Sequence, residues 1–186
     1  MNSSQLQGRH PALPLTLGLH TGDDLVIEEW LRVLPGQRYV GRGLWQGRTV
    51  LAKLFIGSKA QRHFQRELNG VQQLVQQQLT TPSLLASDYD AAFGGWILFE
   101  YLSSATSLAK QWQQVSALPL LAPEQQQVLE QALASIAQMH QQGLWQADIH
   151  LDNFMLQAEQ LYIIDGGGIA AETVGQPLNH QIAMKN

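Results

Sequence analysis

Three strand-length runs separated by two tight turns constrain most strongly what this chain can fold into. The first run is "LVIEEWLRVL", the second is "RYVGRGLW" and the third is "TVLAKLFI", with "PGQ" and "QGR" between them. Branched and aromatic residues dominate these runs, which is typical of β-strands. Because so few residues join them, neighbouring runs must pair antiparallel. The pattern therefore predicts a β-meander that begins near residue 25.

An amphipathic helix and two more strands follow the meander. In "KAQRHFQRELNGVQQLVQQQL" apolar residues recur at three- and four-residue spacing from Phe64 to Leu79, which predicts a helix with one buried face. Thr81-Pro82 is predicted to end it. "SLLASDYDAAFGGWILFEYL" then predicts two strands around a turn at Gly94-Gly95. We expect an N-terminal lobe over residues 25–102, made of this sheet and helix, after an irregular arm over residues 1–24.

The rest of the chain is predicted to be mainly helical. "SLAKQWQQV" indicates a short helix, and "PEQQQVLEQALASIAQMHQQG" a long one that begins at Pro123 and stops at Gly143. A hairpin of "FMLQ" and "LYIID" comes after it. We expect residues 103–186 to form a second, partial lobe, so the predicted class is α+β.

Composition narrows the range of functions. The chain has 186 residues, a net charge of -4 and no cysteine. This charge argues against a dedicated nucleic-acid binder, and the lack of cysteine excludes disulfides, thiolate metal sites and a Cys nucleophile. No apolar run approaches the roughly 18 residues that span a membrane, and the N-terminal stretch lacks the features of a secretory signal. The expected location is the cytoplasm.

The stretch "QADIHLDNF" concentrates polar groups in a chain that is only 14% charged. Asp148 and Asn153 lie five residues apart in a loop after a helix, and Asp165 ends the following hairpin just before Gly166. The first acid can orient a hydroxyl nucleophile, and the amide and second acid offer oxygens to Mg²⁺ on a nucleotide. The alternative is that these Asp and Asn residues are ordinary turn formers.

A phosphate site also needs a cation, and Lys53 is the candidate. It lies in the middle of the apolar run "TVLAKLF", and Glu67 is the only acid in the helix that follows. We expect the two side chains to form an ion pair. Taken alone, each has a plainer explanation: an edge-strand lysine that extends its amine to solvent, and a glutamate on a solvated helix face.

These motifs, in this order, resemble those of the protein-kinase-like phosphotransferases. The segments that carry the resemblance are "VLAK", "RELNGVQQL", "ILFEYL", "MHQQGLWQADIHLDN" and "IIDGG", over roughly residues 25–170. The chain is most similar to the bacterial lipopolysaccharide-core sugar kinases, the group of Kdo and heptose kinases. The form "DIHLDN" is also similar to that of aminoglycoside and choline kinases.

The resemblance implies a two-lobe kinase fold and a role for each matching residue. Lys53 resembles the phosphate-binding lysine, and Glu67 resembles its partner. Phe99 resembles the residue behind the adenine pocket, and Glu100 to Leu102 the hinge whose backbone binds adenine. Asp148 resembles the catalytic base. Asn153 and Asp165 resemble the metal ligands.

Three departures from the family pattern stand out. Gln146 replaces the usual His or Tyr two residues before the catalytic Asp, and Gly167 occupies the third position of the metal motif. The glycines of "GRGLWQG" lie too close to Lys53 for a phosphate-binding turn, so Gly36 in "LPGQR" is the better candidate. A single glycine leaves fewer N–H groups to wrap phosphate.

The function that these features imply is transfer of a phosphoryl group from ATP, with Mg²⁺, to a hydroxyl. The expected acceptor is a lipopolysaccharide-core sugar or another small or lipid-linked molecule, which fits peripheral association with the inner membrane. The alternatives are a pseudokinase that binds nucleotide or serves as a scaffold, and a protein Ser/Thr kinase. The helices that usually complete the larger lobe are not evident, so we expect a minimal kinase or a truncated chain.

Overall fold

The computed structural model of the protein describes Leu6, residues 8–172 and residues 176–184. Its contacts divide the chain into two compact units. Unit 1 comprises Met1–Leu68 with Ser83–Tyr101, and unit 2 comprises Asn69–Pro82 with Leu102–Asn186. Helix α1 (Ala60–Gln76) therefore contributes its first half to unit 1 and its second half to unit 2. The lobe boundaries inferred from the sequence stay a prediction.

Unit 1 contains a six-stranded antiparallel sheet in the order β1-β2-β3-β4-β6-β5. Its strands are β1 (Leu15–Gly18), β2 (Asp24–Leu34), β3 (Arg38–Trp45), β4 (Arg48–Phe55), β5 (Leu84–Asp90) and β6 (Gly94–Glu100). The predicted meander is confirmed as β2, β3 and β4. Strand β1 lies in a segment that was predicted to be irregular. It forms because Leu15 and Leu17 can be buried when the segment pairs with the edge of β2.

One face of this sheet closes on an apolar core. The fully or nearly fully buried side chains include Leu17, Leu25, Ile27, Tyr39, Val50, Leu54, Trp96 and Leu98. The N-terminal segment is held on the same unit by hydrogen bonds. The Tyr39 hydroxyl donates to the carbonyls of Leu6 and Gly8, and the Trp30 indole donates to the carbonyl of Pro11.

The opposite face of β4 packs against α1. Side chains alternate along a strand, so Ala52 and Leu54 lie in the apolar core while Lys53 and Phe55 point the other way. Phe55 meets Phe64 of α1 edge-on, with 6.2 Å between the ring centroids. This alternation is what directs a lysine in an apolar strand towards the helix.

The Gly94-Gly95 turn prediction is wrong in detail, because both glycines belong to β6. The turn between β5 and β6 lies at residues 91–93. A Cβ atom on Gly94 would fall 2.0 Å from the Phe55 carbonyl oxygen, and one on Gly95 would fall 2.6 Å from the Phe64 ring. Close packing of β6 against these neighbours, and not a turn, accounts for the two glycines.

Unit 2 combines helices with two small sheets. Its helices are α2 (Leu108–Val115), α3 (Pro123–Gln141) and α4 (His180–Ala183), and its strands are β7 (Thr106–Ser107), β8 (Leu144–Gln146), β9 (Phe154–Gln157), β10 (Gln160–Ile163) and β11 (Ile169–Ala171). One sheet has the order β10-β9-β7, and the other pairs β11 with β8. Helices α2 and α3 and the β9–β10 hairpin confirm the predictions. Strands of two or three residues were not predicted, because a period of two cannot be recognised over such lengths.

Helix α1 ends at Gln76, before the predicted stop at Thr81-Pro82. Gln78 adopts a left-handed conformation with φ of 57°, and the Leu79 N–H donates to the Leu74 carbonyl. This closure resembles the usual glycine C-cap but uses a glutamine, so no glycine marks it in the sequence. Among the described residues, no helix is both long and apolar enough to cross a lipid bilayer.

Candidate active site

Lys53 and Glu67 form a buried ion pair in unit 1. Lys53 lies on β4 and Glu67 on the first half of α1, and the lysine amine donates to the Glu67 carboxylate. The exposed fractions are 8% for Lys53 and 1% for Glu67. The predicted contact is therefore confirmed, and the plainer explanation of a solvated lysine and glutamate is wrong. The phosphate-binding role of the pair stays a prediction.

An aromatic ring forms one wall beside this pair. The Lys53 amine lies 5.5 Å from the centroid of the Phe99 ring, and Phe99 is 3% exposed. An ammonium group at this distance from a ring face is attracted by the π electrons. The ring also keeps water away from the amine, which strengthens its electrostatic interactions.

The turn that contains Gly36 joins β2 to β3. Gly36 has φ of 70°, and the Gln37 N–H donates to the Leu34 carbonyl to close the turn. The Gln37 carbonyl in turn accepts from the Ile56 N–H, just after β4. This hydrogen bond ties the turn to the C-terminal end of β4, the strand that carries Lys53. The phosphate-binding role of this turn stays a prediction.

Gly41 and Gly43 lie within β3, as predicted, and the structure gives them a packing role. A Cβ atom on Gly41 would fall 2.8 Å from the Glu29 carbonyl oxygen, and one on Gly43 would fall 2.3 Å from the Val26 carbonyl oxygen. The pairing of β2 with β3 is irregular between Ile27 and Glu29. These glycines are therefore required by the close approach of two strands at a bulge.

The predicted hinge residues have partly occupied backbone groups. The Glu100 N–H donates to the Ser83 carbonyl, and the Ser83 hydroxyl donates to the Glu100 carboxylate, each at 2.9 Å. In unit 2, the Leu102 carbonyl accepts from the Ala105 N–H at 3.3 Å. The Glu100 N–H and the Leu102 carbonyl are thus already occupied, and the adenine-binding role of Glu100 to Leu102 stays a prediction.

The loop of unit 2 brings Asp148 and Asn153 together. The Asn153 side-chain nitrogen donates to the Asp148 backbone carbonyl at 2.8 Å, and Asn153 is 4% exposed. This bond uses the donor end of the amide and leaves its oxygen available as an acceptor. Asp148 is exposed, and its carboxylate makes no hydrogen bond or ion pair within the part of the chain that the structure describes.

Asp152 supports this loop through a hydrogen bond to unit 2's Ser107. Its carboxylate accepts a hydrogen bond from the Ser107 hydroxyl at 3.0 Å. The same Ser107 oxygen accepts from the Lys110 N–H and so caps the start of α2. Ser107 thus joins the loop to a helix, a role that the sequence did not reveal because the two partners are 45 residues apart.

Asp165 adopts a left-handed backbone conformation, with φ of 65° and ψ of 71°. Aspartate tolerates this region better than most residues, yet such backbones cluster at functional sites. The Ile164 N–H donates to the Asn153 carbonyl, which ties the segment before Asp165 to the loop of Asn153. The Asn153 oxygen and the Asp165 carboxylate fit Mg²⁺, which takes one or two protein oxygens together with phosphates and water.

Two residues whose positional roles the sequence analysis missed hold this region in place. A Cβ atom on Gly70 would fall 1.9 Å from the Gly166 carbonyl oxygen, so the second half of α1 lies directly against the residue after Asp165. Gln146 is fully buried, and its side-chain nitrogen donates to the Ile164 carbonyl at 3.4 Å. The sequence did contain a signal for Gly70. A glycine inside an amphipathic helix costs about 1 kcal/mol relative to alanine, so its presence indicates a packing role.

The sequence model of the lipopolysaccharide kinase (Kdo/WaaP) family matches residues 38–167. That range includes the Lys53–Glu67 pair and the whole loop from Asp148 to Asp165. Comparison with curated protein sequences gave no significant match.

Two solved structures show the fold. The structure titled "WaaP in complex with acyl carrier protein" aligns with a TM-score of 0.63 and 20% identity, over 84% of this chain and 66% of the other. "Structure of vaccinia related kinase 3" aligns with a TM-score of 0.56 and 15% identity, over 91% of this chain and 55% of the other. The chain thus spans less than two thirds of each. The predicted protein-kinase-like α+β fold is confirmed.

Proposed function

This chain belongs to the lipopolysaccharide kinase (Kdo/WaaP) family, and on that premise we propose that it transfers the γ-phosphoryl group of ATP to a hydroxyl of a lipopolysaccharide-core sugar. Such an acceptor is lipid-linked, so the reaction takes place at a membrane surface. We place the protein at the cytoplasmic face of the inner membrane.

In unit 1, Lys53 neutralises the nucleotide phosphates and Glu67 holds its amine in position. The Gly36 turn covers the phosphates, and the Glu100 backbone carbonyl binds the adenine edge beside Phe99. These roles agree with the buried contact between Lys53 and Glu67 and with the tie between the Gly36 turn and the end of β4.

In unit 2, Asp148 accepts the proton of the acceptor hydroxyl and orients its oxygen. Its exposed carboxylate can be reached by an acceptor, whereas the buried amide of Asn153 points its donor end at the loop backbone. Asn153 and Asp165 would hold Mg²⁺, which would offset the negative charge of the nucleotide phosphates. Within the described part of the chain no three His, Cys, Asp or Glu side chains cluster, so the metal would depend on nucleotide for its remaining ligands.

The observation that carries the proposal is the buried Lys53–Glu67 pair. Burying two charges is expensive, and a packed apolar pair of similar size is often as stable or more so. Stability alone therefore does not account for the pair. A ligand with phosphates close to the lysine does, because it uses the amine that the glutamate positions.

The test is nucleotide binding by calorimetry, with and without Mg²⁺, for the wild type and Lys53→Ala. We expect Mg²⁺ to strengthen ATP binding by the wild type and Lys53→Ala to weaken it at least tenfold, about 1.4 kcal/mol. Arg48→Ala is the matched control, because Arg48 is an exposed cation in the same unit. Equal binding by the wild type and Lys53→Ala would contradict the proposal.

A pseudokinase remains the second candidate, for one structural reason. Gly41 and Gly43 serve strand packing, which leaves Gly36 as the single glycine of the candidate phosphate turn. Nucleotide binding with no phosphoryl transfer to any lipopolysaccharide-core sugar would favour this candidate.

A further inference from the structure

A row of basic residues occupies one exposed face of α1. Lys59 directly precedes α1, and Arg62, His63 and Arg66 lie three, four and seven residues after it, which places all four on the same side of the helix. Lys59, Arg62 and Arg66 are exposed and His63 is partly buried. Arg38, at the start of β3, adds a fifth basic side chain. We call these five residues the basic stripe.

The four cations of the stripe lie close enough to His63 to affect its pKa. Burial lowers the pKa of His63 below its ordinary value, and the charges of Arg62, Arg38, Lys59 and Arg66 lower it further. The stripe thus concentrates four of the chain's 11 Lys and Arg residues around one histidine, in a protein whose net charge is -4.

Folding alone does not explain this arrangement. The first turn of α1 contains no acid, and the helix's own acid, Glu67, is held by Lys53 on the buried side. The Lys59 carbonyl accepts from the His63 N–H, so the stripe begins at the N-terminal end of the helix. Cations are unfavourable there because they face the positive end of the helix dipole.

We propose that the basic stripe docks the protein on an anionic lipid surface, with Lys59 and Arg62 contacting lipid phosphates. The inference rests on the proposed function, since a lipid-linked acceptor requires the protein to work at a membrane. A protein of net charge -4 is repelled by an anionic leaflet unless its cations are grouped on one surface. The stripe is such a group, and its row of cations complements a flat array of phosphates.

Arg38 directly follows the Gly36 turn, so one end of the stripe adjoins the candidate phosphate turn, and the proposal therefore rests on Lys59 and Arg62. Lys59 and Arg62 lie on the exposed face of α1, whereas Glu67 projects from its buried face towards Lys53. One helix therefore has two faces with different tasks: the buried face positions the phosphate-binding lysine, and the exposed face contacts lipid.

The test is sedimentation with phosphatidylcholine vesicles that contain or lack phosphatidylglycerol, without nucleotide or acceptor. We expect the wild type to bind only the anionic vesicles and to be released by salt. Lys59→Gln/Arg62→Gln should weaken binding about 25-fold, or about fivefold for each cation removed. The matched control is Arg32→Gln/Arg48→Gln, which removes two exposed cations from the same unit and should bind like the wild type.

Two further measurements distinguish lipid binding by the stripe from nucleotide binding or binding of an acidic protein. The nucleotide affinity of Lys59→Gln/Arg62→Gln should match that of the wild type. In an NMR titration, anionic vesicles should raise the pKa of His63, because lipid phosphates favour its charged form. Equal vesicle binding by the two double variants, a parallel loss of nucleotide affinity, or binding to an acidic protein without binding to vesicles would overturn the proposal. Because the vesicle assay needs no turnover, its result is independent of whether the kinase proposal holds.

Discussion

The side chain of Asn153 donates a hydrogen bond to the backbone carbonyl of Asp148, and this 2.8 Å contact sets the geometry of the loop. The two ends of one amide thereby have separate tasks. Its nitrogen holds the backbone of the candidate base, and its oxygen is left as a hard acceptor for a cation.

Replacing Asn153 with Asp tests this division. The variant keeps an oxygen for the metal but places a second acceptor against the Asp148 carbonyl at a site that is 4% exposed. We expect the free energy of unfolding in urea to fall by about 1–3 kcal/mol. Asn69→Asp, at an exposed position on α1, is the control and should change it little. An unchanged stability of Asn153→Asp would contradict the role of the nitrogen.

Gly70→Ala should lower the free energy of unfolding, although the same change inside most helices raises it by up to about 1 kcal/mol. The added Cβ would meet the Gly166 carbonyl oxygen at 1.9 Å, so the segment after Asp165 must move. We expect a lower unfolding midpoint and weaker Mg²⁺-dependent nucleotide binding, with Asn69→Ala as the neighbouring control. A more stable Gly70→Ala with normal binding would show that the loop adjusts without cost.

Lys53 and Glu67 should be strongly coupled in a double-mutant cycle. Lys53→Met or Glu67→Leu alone leaves one buried charge without its partner, which costs about 3–5 kcal/mol of unfolding free energy. The double variant should lose much less than the sum, because no isolated charge remains. The exposed Arg42–Glu29 pair is the comparison, and its coupling should be far smaller. Additive effects at Lys53 and Glu67 would rule out the coupling.

Asp148→Asn and Asp165→Asn should impair different steps, turnover in the first variant and nucleotide binding in the second. Asp165→Asn removes a charged metal ligand and should weaken Mg²⁺-dependent nucleotide binding. Asp148→Asn should leave that binding intact and lower kcat about 100-fold or more, because it removes the group that accepts the acceptor's proton. Calorimetry and steady-state kinetics on a lipopolysaccharide-core acceptor separate the two. Wild-type activity in Asp148→Asn would end the kinase assignment.

His63 should make stability depend on pH. Its pKa is lowered in the folded protein, so the unfolded chain binds the proton more tightly. The free energy of unfolding should therefore fall as pH drops below about 6.5, the ordinary histidine pKa, and level off below the folded-state pKa. His63→Gln should flatten this profile, and Arg62→Gln should reduce its slope. A profile that is the same in all three proteins would show that other groups control the dependence.

Much of the fold and part of the candidate site followed from the order of residues alone. Strands β2 to β4 and helices α1 to α3 were predictable because each is long enough for its hydrophobic period to be read. Lys53 and Glu67 could be paired in advance, since a charge in an apolar strand needs a partner and the next helix has one acid. The loop acids and Asn153 were recognisable from their spacing.

Only the tertiary structure decided the features that depend on how closely two distant segments of the chain pack together. Gly94 and Gly95 were predicted to form a turn, and Gly41 and Gly43 carried no packing signal in the sequence, but each is needed because a neighbouring backbone or ring leaves no room for a Cβ atom. The Ser107–Asp152 hydrogen bond joins residues that no local pattern connects. A sequence records which side chains are present and at what period, whereas the distance between two chain segments is set only when both pack on the same core.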